Sequence, residues 1–78
     1  MAAEPILVEE SAAAWYAGRP GVTIRRWAHE GRIHRYGSGR GNVRYNINEL
    51  NMAHRDEYTN ALLEPGDVPP LPEGARAA

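Results

Sequence analysis

The stretch that decides the fold is Thr23-Ile24-Arg25-Arg26-Trp27-Ala28-His29-Glu30-Gly31-Arg32-Ile33. At the roughly 100° per residue of an α-helix, Ile24, Trp27 and Ala28 fall on one side. Arg25, Arg26 and His29 fall on the opposite side, with Thr23 near the edge. One side suits a core and the other is cationic. Gly31 then marks a stop, because a glycine just past the last turn adopts the left-handed conformation without steric cost. The spacing predicts a helix over 22–30 with Trp27 anchored in the core.

Upstream, Gly18-Arg19-Pro20-Gly21 reads as a tight connection to an earlier helix over 8–17. In that helix Ala12, Ala13 and Ala14 bring high propensity, Glu9 and Glu10 suit the positive end of a first turn, and Gly18 closes it. Val8, Ala12, Trp15 and Tyr16 are its expected apolar face. Downstream, 33–36 and 42–45 read as two strands joined by the hairpin tip Gly37-Ser38-Gly39-Arg40-Gly41. Val43 and Tyr45 alternate with Arg44, which puts apolar groups on one face and a cation on the other. Asn46 or Asn48 is a candidate cap for a third helix reaching about Leu63, with Ile47, Leu50, His54, Tyr58 and Ala61 as its inner stripe. Four prolines after Glu64 predict a disordered tail. The expected organisation is a flexible N-terminus over 1–7, one domain over 8–63 and a Pro-rich tail over 64–78.

The chain has 78 residues, no cysteine and no lysine. That length allows one domain with a thin core, and nothing staples it covalently. The missing lysine excludes a phosphate-loop lysine and a lysyl nucleophile. No basic leader or long apolar run is present, so the expectation is a cytoplasmic, nucleoid-associated protein with no membrane partner. The net charge of −1 hides an asymmetry. Residues 19–55 carry eight arginines against Glu30 and Glu49, while both flanks are acidic. A basic middle of this kind points to a polyanionic partner.

The string Thr23 to Ile33, followed by Val43-Arg44-Tyr45 and Glu49-Leu50, resembles the winged helix-turn-helix of the MerR-like and phage excisionase-like DNA-binding families. The resemblance covers roughly residues 8–50. It implies a mainly α fold with a two-stranded β-hairpin wing, completed here by the short C-terminal helix and the disordered tail. The stretch from Trp15 to Gly21 is about two residues longer than the common family form. The chain also lacks the long coiled coil and effector domain of full-length MerR regulators, which argues against ligand sensing.

In such folds the second helix enters the major groove of double-stranded DNA and the wing touches the neighbouring backbone or minor groove. The residues expected to carry this are Arg25, Arg26 and His29 on the helix, Thr23 near its start, Arg40 at the hairpin tip, and Arg19 and Arg44 as phosphate contacts. Neutralising about five phosphates would give a slope of log K against log salt of about −4 to −5. The implied roles are an excisionase-like recombination directionality factor or a compact transcription regulator. The DNA-recognition part of a phage packaging terminase is an alternative. A single module makes few contacts, so self-association, cooperative binding on DNA, or a recombinase or transcription partner is expected.

A blander reading stands beside each feature. Trp15 and Trp27 at helical spacing suit a core better than base stacking, and Tyr36 and Tyr45 suit packing of the hairpin on the core. His29 serves equally well as a contact or a bystander, and His34 and His54 read as structural or solvent-facing. Three histidines without cysteines or short ligand spacing make no metal site. Ser11 and Ser38 lack a base, so neither an enzyme nor a cofactor is expected. The competing function is a protein-interaction adaptor, in which the acidic ends and the third helix, with Met52 and Leu63 off its inner stripe, dock another protein. A further alternative has the acidic residues 56–78 folding over the basic face.

Overall fold

A computed structural model describes residues 4–72. Strand β1 (Leu7–Val8) leads into helix α1 (Glu10–Ala17), and a three-residue turn leads into helix α2 (Gly21–His29). Strands β2 (Arg35–Tyr36) and β3 (Arg44–Asn46) follow, then a single 3-10 turn over Ile47–Glu49. Strands β4 (His54–Arg55) and β5 (Leu62–Glu64) come last. The strands form two antiparallel sheets, ordered β1-β3-β2 and β4-β5. In the first sheet Tyr45 is the common neighbour, pairing with Val8 on one side and Arg35 on the other.

Both helices end as their glycines foretell. Gly18 (φ 67°) and Gly31 (φ 81°) are left-handed. Around them Arg19 N–H donates to the Ala14 carbonyl at 3.0 Å, and Arg32 N–H donates to that of Trp27 at 2.9 Å. This bond closing a wide loop, with one from each glycine closing a narrower loop inside it, is the Schellman arrangement.

The core consists of Ala13, Ala17, Ile24, Trp27, Ile33, Tyr45 and Leu50, with Val8, Ala14, Tyr16, Ala28 and Val43 packed against it. Ile24 and Trp27 bury the apolar side of α2 as its spacing requires. Burial of one such side chain stabilises by about 1.5–3 kcal/mol. The expected face of α1 is corrected. Its buried residues are Ala13 and Ala17, Ala12 is exposed, and Trp15 remains 54% exposed. Small residues let α1 approach α2 closely, and an indole ring at that contact would overfill it. Trp15 instead carries the Arg55 guanidinium 4.3 Å above its ring.

The expected fold class, a mainly α winged helix-turn-helix with one wing, a short C-terminal helix and a disordered tail, is also corrected. Two helices and two small antiparallel sheets form instead. The third helix is replaced by the 3-10 turn and the β4–β5 hairpin. Local hydrogen bonding explains why. The Asn46 side chain accepts the Asn48 N–H, so the expected cap exists, but it closes only one turn. Further on, the Asp56 carboxylate accepts the N–H groups of Tyr58 and Thr59, both at 2.9 Å, and Asn60 is left-handed (φ 61°). Asn, Asp and Thr side chains that bond nearby backbone compete directly with a helix. The same two bonds, Thr59 before Tyr58, hold the Asp56 carboxyl below its usual pKa.

Residues 65–72 are laid down rather than loose, and the part of the tail over 73–78 lies outside the described residues. The reason sits at the end of α1, where four carbonyls have no partner within the helix. Arg19 N–H takes that of Ala14, and Gly18 N–H and Arg55 Nη2 take that of Trp15. Ala53 N–H takes that of Tyr16 at 2.7 Å, and Gly66 N–H takes that of Ala17 at 2.8 Å. Gly66 is pressed so closely on the Asn51 carbonyl that a Cβ there would overlap it. Arg19 donates to the Gly66 carbonyl from Nε and Nη2, and Arg32 Nη1 donates to that of Pro69 at 2.8 Å. Pro69 is fully buried. The C-terminal segment therefore acts as a cap on α1, tied down by arginines of the basic middle.

Candidate nucleic-acid interface

The outer side of α2 faces an open groove of about 590 Å³, with β2 and β3 forming its opposite wall. Arg25, Arg26, His29 and Val22 line it from α2, Arg35 and Tyr45 from the hairpin strands, and Val43 from just before β3. Ile24 and Trp27 point into the core, so the helix has no freedom to rotate its cations away. The groove floor is Tyr45, whose phenol is raised above its usual pKa first by burial and then by the Glu10 charge, with Arg35 and Arg25 opposing.

The expected contact residues divide into those the groove collects and those it does not. Arg25, Arg26 and His29 are together and exposed. Thr23 is half-buried, and its N–H donates to the Pro20 carbonyl in the first turn of α2. Arg40 stands at the exposed hairpin tip, outside the groove. It is the second residue of a four-residue turn closed by Asn42 N–H to the Gly39 carbonyl, with Gly41 left-handed at φ 80°. Arg44 lies on the other face of its strand, donating to the Gly41 and Val43 carbonyls and standing 3.7 Å from Glu9. Arg19 is taken up by the Gly66 carbonyl and by stacking 5.7 Å from the centre of the Trp27 ring. Its guanidinium ties the C-terminal segment to α2.

Two groove residues were not foreseen. Arg35 is directly opposite Tyr45 across the β2–β3 pair, so the two share a face. Only the strand register reveals this, although the alternation of Val43 and Tyr45 was a partial signal. Glu10 enters the groove from the start of α1, with Oε2 3.5 Å from Arg25 Nη1 and close against Gly21, the first residue of α2. Arg26, Arg35 and Arg40 make no ion pair or side-chain hydrogen bond among the described residues.

Two features lie away from the groove. His34 Nδ1 pairs with Glu49 Oε2 at 2.7 Å on the surface. Trp15 and Met52 line a second hollow of about 350 Å³ with Tyr16, Ala53, His54 and Arg55. Compared with protein-family models, curated proteins and solved structures, the chain matches none. Among the described residues no helix is long and apolar enough to cross a membrane.

Proposed function

We propose that this protein binds double-stranded DNA, with α2 seated in the major groove and the β2–β3 hairpin lying along the adjoining backbone or minor groove. The observation that carries this reading is the convergence of Arg25, Arg26, His29 and Arg35 on one open groove, from a chain whose net charge is −1. A solvated helix face would show Arg25, Arg26 and His29 alone. The addition of Arg35 from a separate strand makes a two-walled cationic surface of the kind a phosphate backbone rewards. Arg26, Arg35 and Arg40, which have no partner among the described residues, are the phosphate contacts. Three phosphates at about −0.9 each give a slope of log K against log salt of about −3, shallower than a count including Arg19 and Arg44.

The test is an electrophoretic shift with random and selected duplexes at low and moderate salt. Wild type binds with that slope, and the double variant Arg25→Ala, Arg26→Ala loses binding. Undiminished binding after the double change discards this placement of α2. Selection of a DNA site then distinguishes the outputs. Direct repeats at an attachment site favour an excisionase-like recombination role, and a promoter operator favours a compact transcription regulator. A second reading, a protein-interaction adaptor, is supported by the exposure of Trp15, Met52, Leu62 and Leu63 on the surface around the C-terminal segment. Absence of binding to any duplex favours that reading.

A further inference from the structure

Glu10 is the one carboxylate in a groove whose other charged residues are the guanidinium groups of Arg25, Arg26 and Arg35. Against a polyanion it is a liability, so its position calls for a physical reason. Its side chain is 35% exposed and lies against Gly21 at the N-terminal end of α2, where the helix dipole favours a negative charge. From there Oε2 engages only Nη1 of Arg25, at 3.5 Å, while the Arg25 side chain stays 61% exposed. The Nε and Nη2 edge of Arg25 is left without a partner among the described residues. Arg26, its neighbour on the same helix, has no such restraint.

A guanidinium is a rigid planar fork, and one edge of it matches the O6 and N7 acceptors of guanine. Free to rotate, an arginine on a helix facing DNA settles on phosphate as readily as on a base. A carboxylate paired with one corner of the fork biases that choice and leaves the remaining edge facing outward. Building on the DNA-binding reading above, we propose that Arg25 is a guanine reader oriented by Glu10, and that Glu10 is a positioning residue for base discrimination. Arg26 and Arg35 hold the backbone and contribute affinity without sequence preference. The groove therefore takes duplexes with a guanine facing the middle of α2, and Glu10 trades general attraction to DNA for choice of site.

The experiment compares a selected duplex with the same duplex carrying adenine in place of each guanine, for wild type, Glu10→Gln, Arg25→Lys and Arg26→Ala. Folding of each variant is checked by circular dichroism. Wild type discriminates against adenine at one position by about tenfold or more. Glu10→Gln binds random duplex more tightly, because a repelling charge is gone, yet its discrimination at that one position falls to about threefold or less. Arg25→Lys loses the same discrimination, because an ammonium cannot form the bidentate pair. Arg26→Ala weakens all duplexes alike and makes the salt slope shallower by about 0.9. In the Arg25→Lys background, Glu10→Gln has no further effect on discrimination. A Glu10→Gln protein that keeps the wild-type ratio overturns the role of Glu10 while leaving DNA binding intact. An Arg25→Lys protein that keeps it overturns Arg25 as the reader, whether or not Glu10→Gln folds. A wild type that binds no duplex overturns both this inference and the reading beneath it.

Discussion

Around α2, Arg26 and Arg35 reach solvent with no partner among the described residues, whereas Arg19, Arg32 and Arg55 end on backbone carbonyls in or beside residues 51–72. The first region has a true core built on Ile24, Trp27 and Tyr45. The second has a two-stranded hairpin whose β5 residues are all exposed, a buried Ala53 and a buried Pro69. A hairpin of that size has no stability of its own. It is held by the unpaired carbonyls of α1 and by charged donors, bonds that are each stronger than a neutral pair. The same residue type is used in opposite ways: Arg26 and Arg35 are left in solvent on the outer side of α2, and arginines beside a segment with little core become its fastenings. Arg55 is the least satisfied of these, since its Nε is buried with no partner among the described residues.

Variants separate the two regions. Trp27→Ala has the largest effect, about 3–5 kcal/mol lost in chemical denaturation, because it empties the core and removes the ring beneath Arg19. A loss below about 1 kcal/mol would mean that the core does not lie where α2 puts it. Gly66→Ala comes next. Its new Cβ meets the Asn51 carbonyl, and the expected cost is about 1–3 kcal/mol. Hydrogen exchange should quicken at the amides of Ala53 and Gly66 while α2 stays protected. Equal quickening in α2 would show that the two regions open as one unit.

Arg19→Met retains a stem to lie on Trp27 but loses the bonds to the Gly66 carbonyl. For a half-exposed group this costs about 1 kcal/mol, with no change in the salt slope of duplex binding. A shallower slope would return Arg19 to the phosphate contacts. The smallest effect concerns Asp56. Its folded pKa is lowered by the Thr59 and Tyr58 amides, so its contribution is fully present above the ordinary aspartate pKa. It fades as pH falls through the lower folded value. Exchange at the Tyr58 and Thr59 amides should follow that titration, and Asp56→Ala should abolish the dependence. A turn indifferent to both would detach Asp56 from the ordering of the β4–β5 loop.

The two helices and the hairpin were legible because their signals are local. The closing glycines, the apolar side of α2 and the Val43/Tyr45 alternation each depend on residues a few positions apart. The third helix was misread for a related reason. A stripe at three- and four-residue spacing from Ile47 to Ala61 satisfies the periodicity, but the Asn46, Asp56 and Thr59 side chains bond their own neighbouring backbone in competition with a helix, and Asn60 is left-handed. Trp15 was misread because periodicity cannot tell a small residue that permits close helix packing from a large one that prevents it. In the candidate site, Arg25, Arg26 and His29 could be read from one helix, while Arg35 and Glu10 could not. Their places depend on strand register and on the packing of α1 against α2.

By itself the sequence determined that α2 is two-sided, with Ile24 and Trp27 inward and Arg25, Arg26 and His29 outward. A helix of fixed pitch leaves no other choice. Which arginines stay free was decided only by the tertiary structure. Eight guanidinium groups between Arg19 and Arg55 are alike in sequence, yet Arg19, Arg32 and Arg55 end on backbone carbonyls while Arg26, Arg35 and Arg40 have no partner among the described residues. The carbonyls of Gly66 and Pro69, the start of α2 that holds Glu10, and the open groove become neighbours of particular arginines only once the chain has closed on itself.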